Sequence, residues 1–305
     1  VSLALFTHPV CLRHDPGAGH PEAPARLAAV LESLDAAFHY LPWREAPRAS
    51  REQLALAHAP ALLAAVLDQP VQGRRQVDAD TAMSADSAEA ARRAVGAVCA
   101  AVDAVMQGQA RRAFCAVRPP GHHATRGEAM GFCLFNSVAV GALWAQHHHG
   151  LRRVAVIDFD VHHGNGTQDI LWNVPGTLYL SSHQAALYPG SGTREETGGA
   201  GRCRNLPLPA GCDSRCFREA WRAALLPELE AFRPQLLLVS AGFDAHRLDP
   251  LAALDLETPD YQWLTLELVD IAERHAAGRL VSALEGGYSL TALRQCSVAH
   301  VGALA

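Results

Sequence analysis

The chain has 305 residues, 49% hydrophobic and 19% charged, which is enough apolar material for the core of one large domain or two ordinary ones. A formal charge of -5 leaves no basic patch for phosphate and argues against nucleic acid as a direct partner. No apolar stretch is long enough to span a bilayer. The N-terminus, beginning at Val1 without methionine and so leaving room for residues ahead of it, lacks the basic start and apolar run of a signal peptide.

Read in chain order, short apolar β-rich runs alternate with long alanine-rich amphipathic stretches, the pattern of a mainly parallel sheet with helices on both faces. Helices are expected over residues 23–37 and 85–107, followed by a strand at 114–117. That strand leads into Arg118-Pro-Pro-Gly-His-His-Ala124. A helix over 136–149 ends in His147-His-His149 before Gly150, which reads as a solvated helix end rather than a second metal site. A strand at 154–158 runs into Asp158-Phe-Asp-Val-His-His-Gly-Asn165, and another is expected at 177–181.

The glycine-rich stretches 188–192 and 197–201 read as loops of one domain, because core elements resume directly after them. A helix over 214–231 and a strand at 235–240 precede Ser240-Ala-Gly-Phe-Asp244. A helix over 260–276, with Asp260 near its start, and a strand at 280–284 lead to Glu285-Gly-Gly-Tyr288 and a last helix over 290–301. The eight cysteines show no zinc-knuckle pairing. Cys212 and Cys216 come closest, and all eight are expected to be reduced thiols of a cytoplasmic protein.

All four motifs follow apolar strand runs, and in open parallel sheets the ligand crevice forms outside the carboxyl ends of the strands. Extended geometry after residue 154 lets Asp158, Asp160 and His162 face a common point. Carboxylates that close repel one another unless a cation intervenes. Asp244 offers a third ligand, giving two aspartates and a histidine with a position left open; zinc is the first expectation, with iron(II) and cobalt also admissible.

His122 and His123 form a pair suited to proton transfer. If Asp158 accepts from one ring and Asn165 from the other, the first is pushed towards imidazolium and the second stays nearer neutral. Tyr288, after two glycines, can bring a phenol to a developing oxyanion.

These residues resemble the zinc-dependent histone deacetylase family, in its bacterial, class II-like amidohydrolase branch. The likeness runs from Phe6-Thr-His8-Pro9 and His20-Pro-Glu22 to the last helix. The resemblance implies the arginase/deacetylase fold, an α/β domain over residues 1–305 around an eight-stranded, mainly parallel sheet flanked by helices on both faces. It implies release of a carboxylate from an N6-acyl-lysine side chain of a peptide or protein, or from a small acylated amine. Asp160, His162 and Asp244 match the zinc ligands; His122, His123 and Tyr288 match the catalytic residues, with Asp158 and Asn165 as partners of the histidines.

Phe132 and Tyr188 match the walls of an acyl-lysine tunnel, with Gly131, Gly287 and Leu251 beside it, and Arg26 matches an arginine that braces the tyrosine loop. A structural potassium is implied near Asp158, Asp160, His162, Ser181 and Ser182. Asn165 is a class II feature. Ser137 replaces a common second asparagine, and Leu248 a residue that is often acidic. The residue that orients the substrate backbone stays open between Asp80 and Asp86, and association with copies of itself stays open too.

The apolar Leu251 at the rim favours acyl-lysine or a neutral amide over a cationic acetylpolyamine, although an acetylpolyamine amidohydrolase remains the nearest rival reading. A catalytically silent acyl-lysine binding module would have lost a ligand or the tyrosine. A two-metal ureohydrolase would need a larger set of bridging aspartates.

Overall fold

Runs such as Val154-Ala-Val-Ile157 and Leu236-Leu-Leu-Val239 have no polar face, so as strands they require cover on both sides. A computed structural model describes residues 3–199 and 202–305. Of the loop 197–201, residues 200 and 201 lie outside the described residues, as does the chain start at Val1.

The strands are β1 Leu3–Thr7, β2 Trp43–Glu45, β3 Arg74–Gln76, β4 Ala82–Ser84, β5 Arg112–Cys115, β6 Val154–Asp158, β7 Thr177–Gln184, β8 Cys203–Leu208, β9 Leu236–Ala241 and β10 Leu280–Leu284. The helices are α1 Pro24–Phe38, α2 Arg51–Ala55, α3 Pro60–Leu67, α4 Ser87–Met106, α5 Ser137–His149, α6 Asn165–Leu171, α7 Ser214–Ala220, α8 Leu226–Phe232, α9 Thr258–His275 and α10 Leu290–Leu304. Eight strands pair in the order β2-β1-β5-β10-β9-β6-β7-β8, every pair parallel. Helix α4 packs on α5, while α1, α10 and α9 pack side by side, so two groups of helices cover the sheet. This is the arginase/deacetylase architecture.

The strand order positions the site. The four motif-bearing strands, β5, β10, β9 and β6, are consecutive neighbours in the sheet, so the loops leaving their carboxyl ends meet on one edge. The central registers Asp158↔Ser240 and Ala283↔Ser240 align those ends to within a residue. Outside the main sheet, β3 and β4 form an antiparallel hairpin. In its turn Asp78 Oδ1 accepts from the amides of Asp80 (2.9 Å) and Thr81 (2.7 Å).

Two expectations change. The helix expected over 214–231 is interrupted: residues 221–225 wind as a π turn between α7 and α8, where Pro227 has no amide to continue the helical ladder. Not all eight cysteines are free thiols, because Cys212 and Cys216 are joined in a disulfide. The side chain of Asp213 caps α7 by accepting from Cys216 N at 2.9 Å, and the folded first turn sets the two Cα atoms 5.5 Å apart, within disulfide reach. The other six cysteines are buried thiols. No helix among the described residues is long and apolar enough to cross a membrane.

Candidate active site

From β6 the chain leaves extended geometry after Asp158, and the three alternate side chains part company. Asp160 and His162 turn towards Asp244, which follows β9, whereas Asp158 turns towards the histidine pair. His162 Nδ1 lies 3.1 Å from Asp160 Oδ1 and 3.2 Å from Asp244 Oδ2. One ligand atom from each of these three residues lies within 4.8 Å of the others.

Backbone amides fix both carboxylates: Gly286 N donates to Asp160 Oδ2 (2.8 Å), His162 N to Asp160 Oδ1 (2.9 Å) and Val161 N to Asp244 Oδ1 (2.9 Å). Gly286 must be glycine, since a Cβ there would lie 2.0 Å from Asp244 Oδ2 and 2.5 Å from Asp160 Oδ2. Burial and the Asp160 charge push Asp244 up to about 7. Burial would raise Asp160 as well, but the His122 and His162 charges hold it below the usual carboxylate range. Burial would lower His162, yet the two carboxylates carry it to about 10. A buried group with this donor set and this much uncompensated carboxylate charge suits a divalent cation.

His122 and His123 follow β5, their rings 4.0 Å apart. Glu285 accepts from the amides of Gly121 (2.6 Å) and His122 (3.2 Å), which holds this loop to the one leaving β10. His122 Nδ1 lies 3.0 Å from Asp158 Oδ2, which also accepts from Tyr179 Oη at 3.1 Å. Burial works against a charge on His122, but Asp160 and Asp158 raise it well above the ordinary imidazole value. His123 Nδ1 donates to Asn165 Oδ1 at 2.8 Å, an oxygen that can only accept, so Nε2 is left as the free base. Burial, reinforced by the charges of His122 and His162, drops His123 well below the ordinary value. Two adjacent imidazoles are thus pushed in opposite directions.

Tyr288 lies on the far side of the pocket. Arg26 donates to the carbonyls of Gly287 (2.5 Å) and Glu285 (2.6 Å), and its guanidinium carbon stands 4.8 Å from the Tyr288 ring centre. Arg26 is held in turn by the buried Glu22, which also pairs with Arg118 and His14. Burial, with Asp244 and Asp160 adding to it and Arg26 opposing, keeps the Tyr288 phenol protonated far above its usual range.

Of these groups, His123, His162 and Tyr288 line a pocket of ≈ 230 Å³. Phe132 and Tyr188 form its walls, with Gly131, Leu187, Leu251 and Asp80 around them. Phe132 sits at φ 68°, and its amide donates to Thr81 Oγ1 at 2.9 Å. Gly131, at φ 55°, lies against His123, where a Cβ would come within 2.5 Å of the ring. Between the two open aspartates, Asp80 faces the pocket from the β3–β4 turn, whereas Asp86 lies outside it and pairs with Arg13. Of the residues named for potassium, Ser181 stands opposite Asp158 in the β6–β7 register. Its hydroxyl pairs with His183 at 2.8 Å, and the Ser182 hydroxyl accepts from Trp221 at 3.1 Å.

Sequence reasoning assigned no role to Asp249. Buried beside the pocket, it accepts from the amides of Tyr288 (2.6 Å) and Ser289 (3.2 Å) through one oxygen and from Leu251 N (3.0 Å) through the other. One carboxylate therefore ties the rim to the tyrosine loop. Its only signal in the sequence was an aspartate five residues after Asp244, with nothing to pair it to Tyr288. Since a hydrogen bond to a charged group contributes about 1.5–3 kcal/mol, Asp249→Ala is expected to lower kcat by roughly tenfold or more. Steady-state rates on protein whose Tm is measured alongside check this, and a wild-type kcat would refute it.

The chain is similar to known proteins over nearly its full length. The family profile described as "Histone deacetylase domain" matches residues 20–304. A histone deacetylase-like amidohydrolase of Pseudomonas aeruginosa is 40% identical over 290 residues, covering 93% of this chain and 76% of that protein. A probable deacetylase of Archaeoglobus fulgidus is 34% identical over 293 residues, covering 94% of this chain and 81% of that one. Among solved structures, the crystal structure of the HDA15 HD domain superposes with a TM-score of 0.93 at 34% identity, covering 100% of this chain and 89% of that one.

Proposed function

The chain belongs to the histone deacetylase family, and from that membership we propose that it is a metal-dependent amide hydrolase that removes acetyl or other acyl groups from N6-acyl-lysine side chains. The observation that carries this reading is the convergence of Asp160, His162 and Asp244, the histidine of which lines a pocket together with His123 and Tyr288. Asp160, His162 and Asp244 would hold a zinc ion, which when bound supplies Lewis acidity to the acyl carbonyl and the attacking water.

The acyl-lysine stem lies between Phe132 and Tyr188, which exclude water from it. Asp80 at the rim accepts from the substrate backbone. His123 Nε2 takes the proton of the attacking water, because its Asn165 partner fixes the tautomer and burial keeps the ring neutral. His122, charged through Asp158 and Asp160, stabilises the negative charge that develops, and the Tyr288 hydroxyl donates to the tetrahedral oxyanion. His123, now an imidazolium, returns its proton to the departing amine. A structural potassium would draw on the end of β6 and β7 around Asp158, Asp160, His162, Ser181 and Ser182.

The test is a screen of acyl-lysine peptides and acylpolyamines with defined metal loading. Acyl-lysine turnover that disappears on chelation and returns with zinc supports the proposal; a fully loaded enzyme inert on every acyl-lysine would sink it. The rim supplies a sharper experiment. Leu251 is 36% exposed and makes its hydrogen bond to Asp249 through its backbone, so Leu251→Glu should leave the loop in place while adding a carboxylate at the mouth. The ratio of kcat/KM for an acetylpolyamine to that for an acetyl-lysine peptide is expected to rise by roughly tenfold. An unchanged ratio would mean that Leu251 does not face the cationic part of the substrate.

A further inference from the structure

At the opposite edge of the sheet, the histidine run that ends α5 acquires a partner that its own segment does not contain. Asp103, in the last turn of α4, lies beside it: His149 Nε2 is 2.7 Å from Asp103 Oδ1, and Trp144 Nε1 donates to the same oxygen at 2.8 Å. The His148 ring stacks on Trp144 with centres 4.3 Å apart and planes 8° from parallel, and it meets the His149 ring edge-on at 4.9 Å. One ligand atom from each of Asp103, His148 and His149 lies within 4.8 Å of the others. Among the described residues, only this group and the catalytic Asp160, His162 and Asp244 meet that condition.

We propose that Asp103, His148 and His149 form a second, exterior site for a divalent transition metal, which staples the end of α4 to the end of α5. Three physical arguments support it. Two imidazoles and a carboxylate are the borderline donor set that first-row dications such as Zn²⁺ or Ni²⁺ prefer, with water filling the remaining positions on this open surface. Both helices present their C-terminal ends here, where aligned carbonyls favour positive charge.

The third argument is that the donors are partly positioned before any ion arrives. Trp144 orients both His148, by stacking, and Asp103, by its hydrogen bond, while Asp103 Oδ2 takes no part in either bond to Oδ1. When the ion binds, the ring proton of His149 moves to Nδ1, so that Nε2 offers its lone pair. The ion then takes the place of the His149–Asp103 hydrogen bond, with no net change in bound protons.

The site stands apart from the chemistry. Chain direction puts the last turns of α4 and α5 just before β5 and β6 begin, whereas the catalytic loops follow the ends of those strands. Its consequences are therefore stoichiometric and structural. Metal added to load the catalytic centre also fills the exterior site, and the staple raises stability without altering turnover.

The experiment uses untagged full-length chain, stripped with chelator and brought to equilibrium with Zn²⁺ by dialysis. The wild type is expected to bind about two ions. His148→Ala, at an exposed position, is expected to bind about one and to keep wild-type kcat/KM. Asp244→Asn, which impairs the catalytic centre, is expected to retain the exterior ion. At a hundredfold excess of Zn²⁺ over the exterior dissociation constant, the metal-induced rise in Tm should be about 3 °C larger for the wild type than for His148→Ala. If His148→Ala binds as many ions as the wild type, or Asp244→Asn binds none, the exterior site does not exist; neither result would touch the catalytic reading.

Discussion

Tyr288→Phe is expected to lower kcat on an acetyl-lysine peptide by about 10²–10³ while leaving KM within a few-fold of wild type. The change removes one oxygen and leaves the ring in its place. Arg26 holds the backbone of this loop through the carbonyls of Gly287 and Glu285, and Asp249 holds it through the amides of Tyr288 and Ser289, so neither anchor depends on the phenol. What is lost is a proton donor that burial keeps neutral and that, in the proposed mechanism, meets charge present only in the transition state. The loss therefore falls on kcat. Steady-state kinetics on metal-loaded protein decide the matter, and a variant turning over within threefold of wild type would remove the phenol from the mechanism.

His123→Ala is expected to cost about 10²–10⁴ in kcat/KM, and His122→Ala less, because only His123 has a free Nε2 on a ring held neutral. A second variant tests the cause rather than the residue. His123 lies well below the ordinary imidazole value because of burial and the neighbouring charges of His122 and His162. Asn165→Asp places a negative charge at the atom that now sits 2.8 Å from Nδ1.

An anion beside the ring favours the imidazolium, so the pKa of His123 rises, typically by about one to three units. A base is useful only when neutral. The acidic limb of kcat/KM against pH must therefore move upward, with activity lost at low pH first. A limb that stays where the wild type has it would assign the proton transfer to another group.

The recognisable part of the site lies in short segments. His122 and His123, Asp160 and His162, Asp244 and Tyr288 each sit within a few residues of a strand end, and a parallel sheet aligns such ends whatever lies between them. The runs at 154–158 and 280–284 match β6 and β10 at both bounds because mainly apolar residues with a carboxylate at or directly after their end mark a buried strand and its exit. By contrast β2 has three residues, and β8 carries Arg204, Asn205 and Pro207, as a strand at the sheet edge can. Neither has an apolar run to reveal it.

The sequence by itself determined which groups are candidates for the chemistry, because residue type and local spacing are enough to pick out a donor set, a histidine pair and a phenol. Tertiary structure alone decided which further groups stand around them. That Asp80 rather than Asp86 faces the pocket follows from the β3–β4 turn, and the position of Asp249 follows from the meeting of two loops. Glu22 holds Arg118 from 96 residues away, and Asp103 reaches His149 across 46 residues. Apart from Asp80, which its own turn places, each of these is a carboxylate with a partner distant in sequence. Only the packing of helices and loops on the sheet brings such pairs within hydrogen-bonding distance, and a linear pattern carries no trace of it.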